Sequence, residues 1–344
     1  MSNLPAIHEY FDLTDFNTMG ISVEARYFAS VENVEQLQAL LKDPQFKEVP
    51  KMMLGGGSNV LFVDDYEGLI IHLENSEYRV DKETENEVVI TVGAGKNWHE
   101  LVLECVEKEW SGIENLSLIP GSMGAAPIQN IGAYGVELEE VFVKLRAVDI
   151  VTGEIRVFNK EECLFGYRDS IFKKELKGKY IITDVTLRLN KNGEVNTSYR
   201  ALSEKLDEKG ITNPTIKQVS DAVTEIRQSK LPDPTEIGNT GSFFKNPIID
   251  KVDFTKLQKK FPEIPHYPSG NRIKIPAAWL IDQCGWKGKR VGDAGVHKMQ
   301  ALVIVNYGGA TGQDIWELAK KIQQSVTEHF GITLRPEVNV VGNV

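Results

Sequence analysis

The sequence is short of most features that would give away a function early. Its three cysteines, Cys105, Cys163 and Cys284, are odd in number and scattered through 344 residues, so neither a disulfide framework nor a Cys-x-x-Cys site is indicated. That usage fits a reducing cytoplasm. No stretch approaches the ~20 apolar residues needed to cross a bilayer, and the opening MSNLPAIHEYFDLTDFN lacks the basic start and apolar core of a secretory signal. Net charge is −10 with no long run of Lys or Arg, which argues against nucleic acid or an anionic membrane as partner.

Familiar chemical motifs are missing too. GAGKNW at Gly93 lacks the third glycine of a dinucleotide fingerprint, and Gly288-Lys289 is followed by arginine rather than Ser or Thr, so a phosphate-binding P-loop is absent. There is no Gly-x-Ser-x-Gly elbow and no His-Glu-x-x-His. No metal site is expected. Internal repeats and low-complexity tracts are also lacking, and 41% apolar with 26% charged residues describes an ordinary globular chain. The length suggests about two domains.

What remains is an alternation of short strands and amphipathic helices. Ser30 is a candidate cap for a helix through Val34, Leu37 and Leu41. GLIIHLEN, EVVITVGAG and the β-branched KYIITDVTLRLN read as strands, and LRAVDIVTGEIRVF as two strands turning at Thr152-Gly153. WHELVLECVEKEW, TIKQVSDAVTEIRQSK and DIWELAKKIQQSVTEHFG read as helices, and ITLRPEVNVVG alternates like a strand. Pro232 and Pro234 stop the second helix and mark a candidate boundary near residue 230. Pro276 is placed to start a helix and Gly285 to end it.

Two loops are poor in side-chain bulk. One is Gly55-Gly56-Gly57-Ser58-Asn59; the other runs IPGSMGAAPIQNIGAYGVEL from Ile119 to Leu138. Such loops expose backbone N–H groups to an anion and let a flat or phosphorylated ligand approach the main chain. Either could equally be a plain tight turn. Three polar groupings stand out: GYRDS around Arg168, LRPEV with Arg335 and Glu337, and GNTGSFFKNP with Ser242, Lys245 and Asn246 beside Phe243-Phe244. Arg168 and Glu337 could be surface ion-pair partners and Ser242 a turn residue. Grouped donors beside aromatic bulk suit an anionic substrate instead.

Together the segments LGGGSNVLF, IPGSMGAAPIQNIGAYGVEL, FGYRDSIFK, KLPDP, GNTGSFFKNP, AAWLIDQCGWKG, GVHKMQALVIVN and LRPEV closely resemble, in order, the UDP-N-acetylenolpyruvoylglucosamine reductase family. TSYRAL around Tyr199 resembles the branch in which a tyrosine loop covers the substrate.

That resemblance implies an α+β fold: a vanillyl-alcohol-oxidase-type FAD-binding region of two subdomains over residues 1–227, split near 76. A substrate-binding domain at 228–330 and a C-terminal strand at 331–344 returning to the active site would complete it. It implies FAD held by Gly55, Gly56, Gly57, Ser58, Asn59, Gly121, Ser122, Gly124, Ala125, Gln129, Asn130, Gly132, Ala133 and Tyr134. The family's catalytic serine, arginine and glutamate correspond to Ser242, Arg168 and Glu337. Its substrate-binding positions correspond to Tyr199, Lys230, Asn246, Tyr267, Lys274 and Gln300, with Lys287 a further candidate beside the phosphates. The implied reaction uses NADPH to reduce the enolpyruvyl group of a UDP-sugar in peptidoglycan precursor synthesis, in a cytoplasmic monomer. Rival readings are another FAD oxidoreductase of this fold and a flavin-free nucleotide-sugar binding protein. A phosphatase-like hydrolase would need a metal or a triad.

Overall fold

A computed structural model describes residues 4–191 and 193–343. The chain forms two compact units: Met1–Phe11, Ala25–Gly56 and Glu67–Gln228 make the first, and Asp12–Glu24, Gly57–Tyr66 and Ser229–Val344 the second.

The first unit holds two sheets. In one, the strands run in the order Ile7–Asp12, Glu24–Val31, Tyr66–Leu73, Lys51–Met53. The helix Val34–Lys42 buries Leu37, Leu40 and Leu41 in the core that also takes Ala29, Leu69 and Ile71. Its cap is Asn33, whose side chain accepts from the Gln36 N–H. Ser30, the expected cap, lies inside the strand Glu24–Val31. The apolar spacing located the helix, but an amide two residues before Glu35 satisfies its first turn better.

The other sheet has the order Ile155–Asn159, Phe142–Asp149, Tyr180–Asn190, Glu87–Gly93, Tyr78–Glu83. The two strands expected around Thr152-Gly153 pair antiparallel, and Gly153 takes the left-handed backbone their turn requires. Trp98, Leu101, Val102 and Cys105 of the helix Trp98–Glu107 pack onto Val88, Ile90 and Val92. Burial pushes the Cys105 thiol up to about 12 and the Cys163 thiol up to about 12, so both are inert packing groups. A smaller core joins Leu202 and Leu206 to Val219, Val223 and Ile226 of the helix Ile216–Lys230.

In the second unit the strands Gly238–Ser242, Val303–Asn306, Ala294–Val296 and Arg290–Val291 form one sheet. A three-stranded sheet of Ile248–Asp250, Arg272–Lys274 and Tyr267–Ser269 adjoins the helix Lys251–Lys260 in sequence. Asn339–Val341 pairs in parallel with Val60–Phe62. The alternation read over ITLRPEVNVVG thus yields only a three-residue strand, because Pro336 can donate no ladder bond. The long helix Gly312–Phe330 starts at a Thr311–Asp314 capping box and ends on Gly331 in the left-handed region.

Among the described residues no helix is long and apolar enough to cross a membrane. None of their His, Cys, Asp and Glu side chains form a group of three or more that could hold a metal ion.

Candidate functional site

In the first unit, the second glycine loop is pinned along the end of the strand Glu87–Gly93. Trp98 N–H donates to Gly121 O, Met123 N–H to Lys96 O and Gly124 N–H to Ala94 O, at 3.0, 2.8 and 2.9 Å. Gly55 and Gly56 of the first loop lie against it. A Cβ at Gly55 would stand 2.5 Å from the Ser122 hydroxyl, and one at Gly56 3.5 Å from the Gly121 Cα. Gly56 therefore meets Gly121 main chain to main chain, and Gly55 lies so close to the Ser122 side chain that a larger residue at 55 would displace it.

Gly57, on the other side of the unit division, is as constrained: its φ is +60° and a Cβ would meet Phe16 O at 2.0 Å. Asn59 O accepts from both the backbone N–H and the side-chain amide of Asn339. Ser58 is half-buried beside it.

Met123–Gln129, carrying Gly124, Ala125 and Gln129, winds into a helical turn that ends on Asn130 in the left-handed region. Asn130 is fully buried and its side chain is engaged by protein: Nδ2 donates to Glu137, Glu139 and Gly166 O, and Oδ1 accepts from Glu139 N–H. Any part Asn130 takes in binding a ligand falls to its main chain. Gly132 and Ala133 pair with Val136–Glu137, and Tyr134 follows with φ +48°.

Arg168 sits on a tight turn in which Gly166 and Asp169 exchange backbone hydrogen bonds, both 3.1 Å. Its φ of +54° is rare for a residue with a Cβ. The guanidinium donates to Gly132 O and lies over the Tyr167 ring. Nearby Glu137 is raised above the ordinary carboxylate range, first by burial, against the opposing charge of Arg168.

A residue the sequence reading missed, Arg227, belongs to the same neighbourhood. Its Nε is buried with no hydrogen-bond partner among the described residues. Burial lowers its pKa, with Arg168 adding to the lowering and Tyr134 opposing it. Burial and then Arg227 also lower His99. A guanidinium stays charged even so, so this corner of the first unit is an electropositive place that suits an anion. The signal was available: Arg227 falls four residues after Val223 and eight after Val219, on the buried stripe of its helix. Tyr199 precedes the helix Arg200–Glu208 and sets its ring edge-on to Tyr134 at 5.3 Å.

In the second unit, Ser242 ends the strand Gly238–Ser242 after a bulge, with Gly241 at φ +67°. Ser242 pairs with Val303, and Phe243 N–H donates to Leu302 O at 2.8 Å. On the other side Glu337 N–H donates to Phe243 O at 2.8 Å and Lys245 N–H to Arg335 O at 2.9 Å. Two distant sequence segments, Phe243–Lys245 and Arg335–Glu337, thus run antiparallel side by side, with Phe244 opposite Pro336, Phe243 opposite Glu337 and Ser242 one position further along. Phe243 and Phe244 anchor them in the interior. Thr18, also missed from sequence, clasps this segment: its Oγ1 donates to Asn239 O at 2.7 Å, and Asn239 N–H returns a bond to Thr18 O.

Gln300 lies on the approach to the same strands, its Oε1 accepting from Leu302 N–H at 3.3 Å. Asn246 Oδ1 accepts from Ala277 N–H at the start of the helix Ala277–Gln283. Tyr267 and Lys274 are cross-strand neighbours in the three-stranded sheet, and Lys230 is exposed at the end of its helix. Lys287 instead pairs with Asp282 at 3.3 Å.

Comparison with known proteins gives these groupings a context. A family model described as UDP-N-acetylenolpyruvoylglucosamine reductase, C-terminal domain, matches residues 233–341, and one described as FAD binding domain matches residues 25–159. The chain is 53% identical over 336 residues to a UDP-N-acetylenolpyruvoylglucosamine reductase of Amoebophilus asiaticus, covering 97% of this chain and 99% of the relative. It is 50% identical over 337 residues to the enzyme of the same name from Flavobacterium johnsoniae, with the same coverage. Among solved structures it resembles the reductase from Thermus caldophilus, with a TM-score of 0.70 and 26% identity over 98% of this chain and 100% of that one.

Proposed function

The chain belongs to the UDP-N-acetylenolpyruvoylglucosamine reductase family, and on that premise we propose that it is an NADPH-dependent enzyme, working as a monomer in the cytoplasm, that reduces the enolpyruvyl ether of UDP-N-acetylglucosamine to the lactyl ether of UDP-N-acetylmuramate. Its place in peptidoglycan precursor synthesis and its FAD-binding domain come with the family.

The close approach of the glycine backbone at Gly56 and Gly121, with Gly55 against the Ser122 hydroxyl, fits FAD, whose diphosphate asks for exposed N–H groups and whose ring system needs close approach. Gly124, Ala125, Gln129, Asn130, Gly132, Ala133 and Tyr134 of the first unit are assigned to FAD as well, and so, separately, are Gly57, Ser58 and Asn59 of the second. When bound there, FAD supplies hydride chemistry, with NADPH as the source of electrons. The tasks of the chain are orientation, charge and a proton.

Hydride addition at the terminal enol-ether carbon pushes electron density through the α-carbon onto the substrate carboxylate. Arg168 is assigned to that carboxylate, because a planar guanidinium stays charged and can grip it with two bonds. Glu337 orients the reacting end. As a bare anion it would repel the developing charge, so it acts Arg-paired or protonated. Ser242 delivers the proton to the α-carbon. A hydroxyl is a weak acid in water, but the α-carbanion is a very strong base, so geometry matters more than acidity. Lys230 and Lys274 are assigned to the diphosphate, and Tyr199, Asn246, Tyr267 and Gln300 to the rest of the sugar nucleotide.

The observation that supports this reading is the backbone pairing of Phe243 with Glu337, which sets Ser242 one position from Glu337 along the paired segments. A hydroxyl-bearing residue and a carboxyl-bearing one thereby lie on neighbouring extended segments, which supports the roles assigned to them. The test is spectroscopic. The purified protein should absorb in the visible as a flavoprotein, bleach with NADPH without oxygen, and recover its colour on mixing with the enolpyruvyl sugar nucleotide. A yellow protein that bleaches but recovers only with oxygen is a different flavin oxidoreductase; a colourless one that takes up no FAD ends the proposal.

A further inference from the structure

In the segment leading to Tyr199, two asparagines make side-chain hydrogen bonds to the rest of the first unit, beside Val195, which packs against the small core of Leu202, Leu206 and Val219. Asn115, fully buried on the turn Glu114–Leu116, uses its single amide nitrogen twice: it donates to Tyr134 O at 2.9 Å and to Asn196 O at 2.8 Å. Asn196 answers from the other side, its Nδ2 donating to Gly135 O at 3.2 Å. Its Oδ1 accepts from both the N–H and the hydroxyl of Ser198, at 3.0 and 2.7 Å, which shapes the last bend before Tyr199. Gly135 takes φ +84°, a backbone that a side chain would strain.

The Asn115 oxygen marks the purpose of this residue. Oδ1 is buried and without a hydrogen-bond partner among the described residues. An orphaned buried acceptor is costly, and an apolar residue at 115 would avoid it. Such a residue would, however, leave two carbonyls on two different segments without their donor. The amide is therefore best explained by its two N–H groups, which join the glycine loop at Tyr134 to the arm at Asn196. The same junction sets the Tyr134 and Tyr199 rings edge to face.

We propose that Asn115 and Asn196 are positioning residues, forming a latch that holds the 193–199 arm docked on the Tyr134 loop so that Tyr199 is preset for the sugar nucleotide. The inference rests on the assignment of Tyr199 to substrate binding. A docked arm lowers the ordering that binding must impose, so loosening it raises KM and leaves the chemical step alone.

The experiment uses the flavin-loaded full chain and three variants. Asn115→Asp keeps the side-chain shape and removes both N–H donors; Asn196→Ala removes only the surface half of the latch and leaves the core untouched. Tyr199→Ala reports on the premise. Arm opening is read without substrate as the rate of tryptic cleavage after Arg200, followed by mass spectrometry. The expected result is faster cleavage in both asparagine variants. KM for the enolpyruvyl sugar nucleotide should rise about threefold in Asn196→Ala and about tenfold in Asn115→Asp, with kcat within about twofold and NADPH bleaching unchanged. The double variant should fall short of the product of the single effects, because both residues hold one arm.

Unchanged cleavage in both variants overturns the latch. Faster cleavage with an unchanged KM, while Tyr199→Ala raises KM, overturns its role in positioning. If Tyr199→Ala itself leaves KM unchanged, the premise has failed: Tyr199 does not meet the substrate, and the positioning claim falls with it.

Discussion

Arg168 and Ser242 are held by opposite means. The first unit contains all seven non-glycine residues with positive φ among the described residues, and five of them fall between Leu118 and Arg168. In the second unit every positive φ among the described residues belongs to a glycine. Backbone of the first kind costs of order 1–3 kcal/mol per residue and persists only where its surroundings over-determine it. Arg168 and Tyr134 are set by such local turns, with buried charge around them. Ser242 and Glu337 are set by strand pairing between distant segments, with Gly241 taking the awkward backbone. The strained part offers charge and the relaxed part offers position, which matches the proposed assignment of anion stabilisation to Arg168 and of proton delivery to Ser242.

The sharpest way to break that comparison is at Ser242. With Ser242→Ala the proton source is lost and the sheet register kept, so recovery of flavin colour by the sugar nucleotide should slow by at least ~100-fold, the usual worth of a general acid. Bleaching by NADPH should stay within about twofold. Rapid-mixing spectra taken without oxygen separate the two half-reactions; an equal loss in both would remove Ser242 from proton delivery.

Next in size is Arg168→Lys, which keeps the charge and gives up the planar fork. A drop of about 10- to 100-fold in kcat/KM for the sugar nucleotide is expected, equivalent to roughly 1.4–2.7 kcal/mol of transition-state stabilisation. Because the lost interaction strengthens as the substrate carboxylate gains charge, the drop should appear mainly in kcat. Steady-state kinetics check this, and a change confined to KM would make Arg168 a ground-state anchor only.

Lys274→Ala belongs to the relaxed side of the comparison. Removing the proposed phosphate contact, equal in ground and transition states, should raise KM about tenfold with kcat within about threefold. Titration of the oxidised enzyme with the sugar nucleotide, read by flavin absorbance, should show the same weakening; a large kcat effect would place Lys274 nearer the chemistry than proposed.

The comparison also explains what could be read in advance. Strands with strong β-branched content, such as Tyr180–Asn190, and helices with a clear apolar stripe, such as Gly312–Phe330, were legible because burial there repeats with a period. The glycine loops and Ser242 were legible as odd composition, and the family likeness suggested the roles proposed for them. The three-stranded sheet that carries Tyr267 and Lys274 was not, since three-residue strands are too short to show alternation. Asn115, Thr18 and Arg227 were not read either. Asn115 and Thr18 matter through side-chain bonds to carbonyls 19 to 221 residues away, and no local window contains that information. Arg227 was within reach, but a charged residue on a buried stripe reads first as an edge residue with its head in water.

The smallest expected effect sharpens the comparison from the strained side. Burial raises Glu137 above the ordinary carboxylate value; Arg168 opposes that, and Glu139 adds to it. The folded chain therefore binds this proton to higher pH than the unfolded chain does. The stability contributed by Glu137 is full below the ordinary carboxylate pKa and is lost as pH rises through the raised one. Glu137→Gln is neutral throughout, and its Oε1 can still accept from Asn130. Melting curves of variant and parent should nearly coincide near pH 4. By pH 8 the variant should melt higher, by ~1 °C, the size of a sub-kcal/mol change in a chain this long. A variant that instead melts lower at pH 8 would mean that the carboxylate is held ionised by Arg168, and that the first unit balances its buried charge internally rather than leaving a guanidinium for a substrate anion.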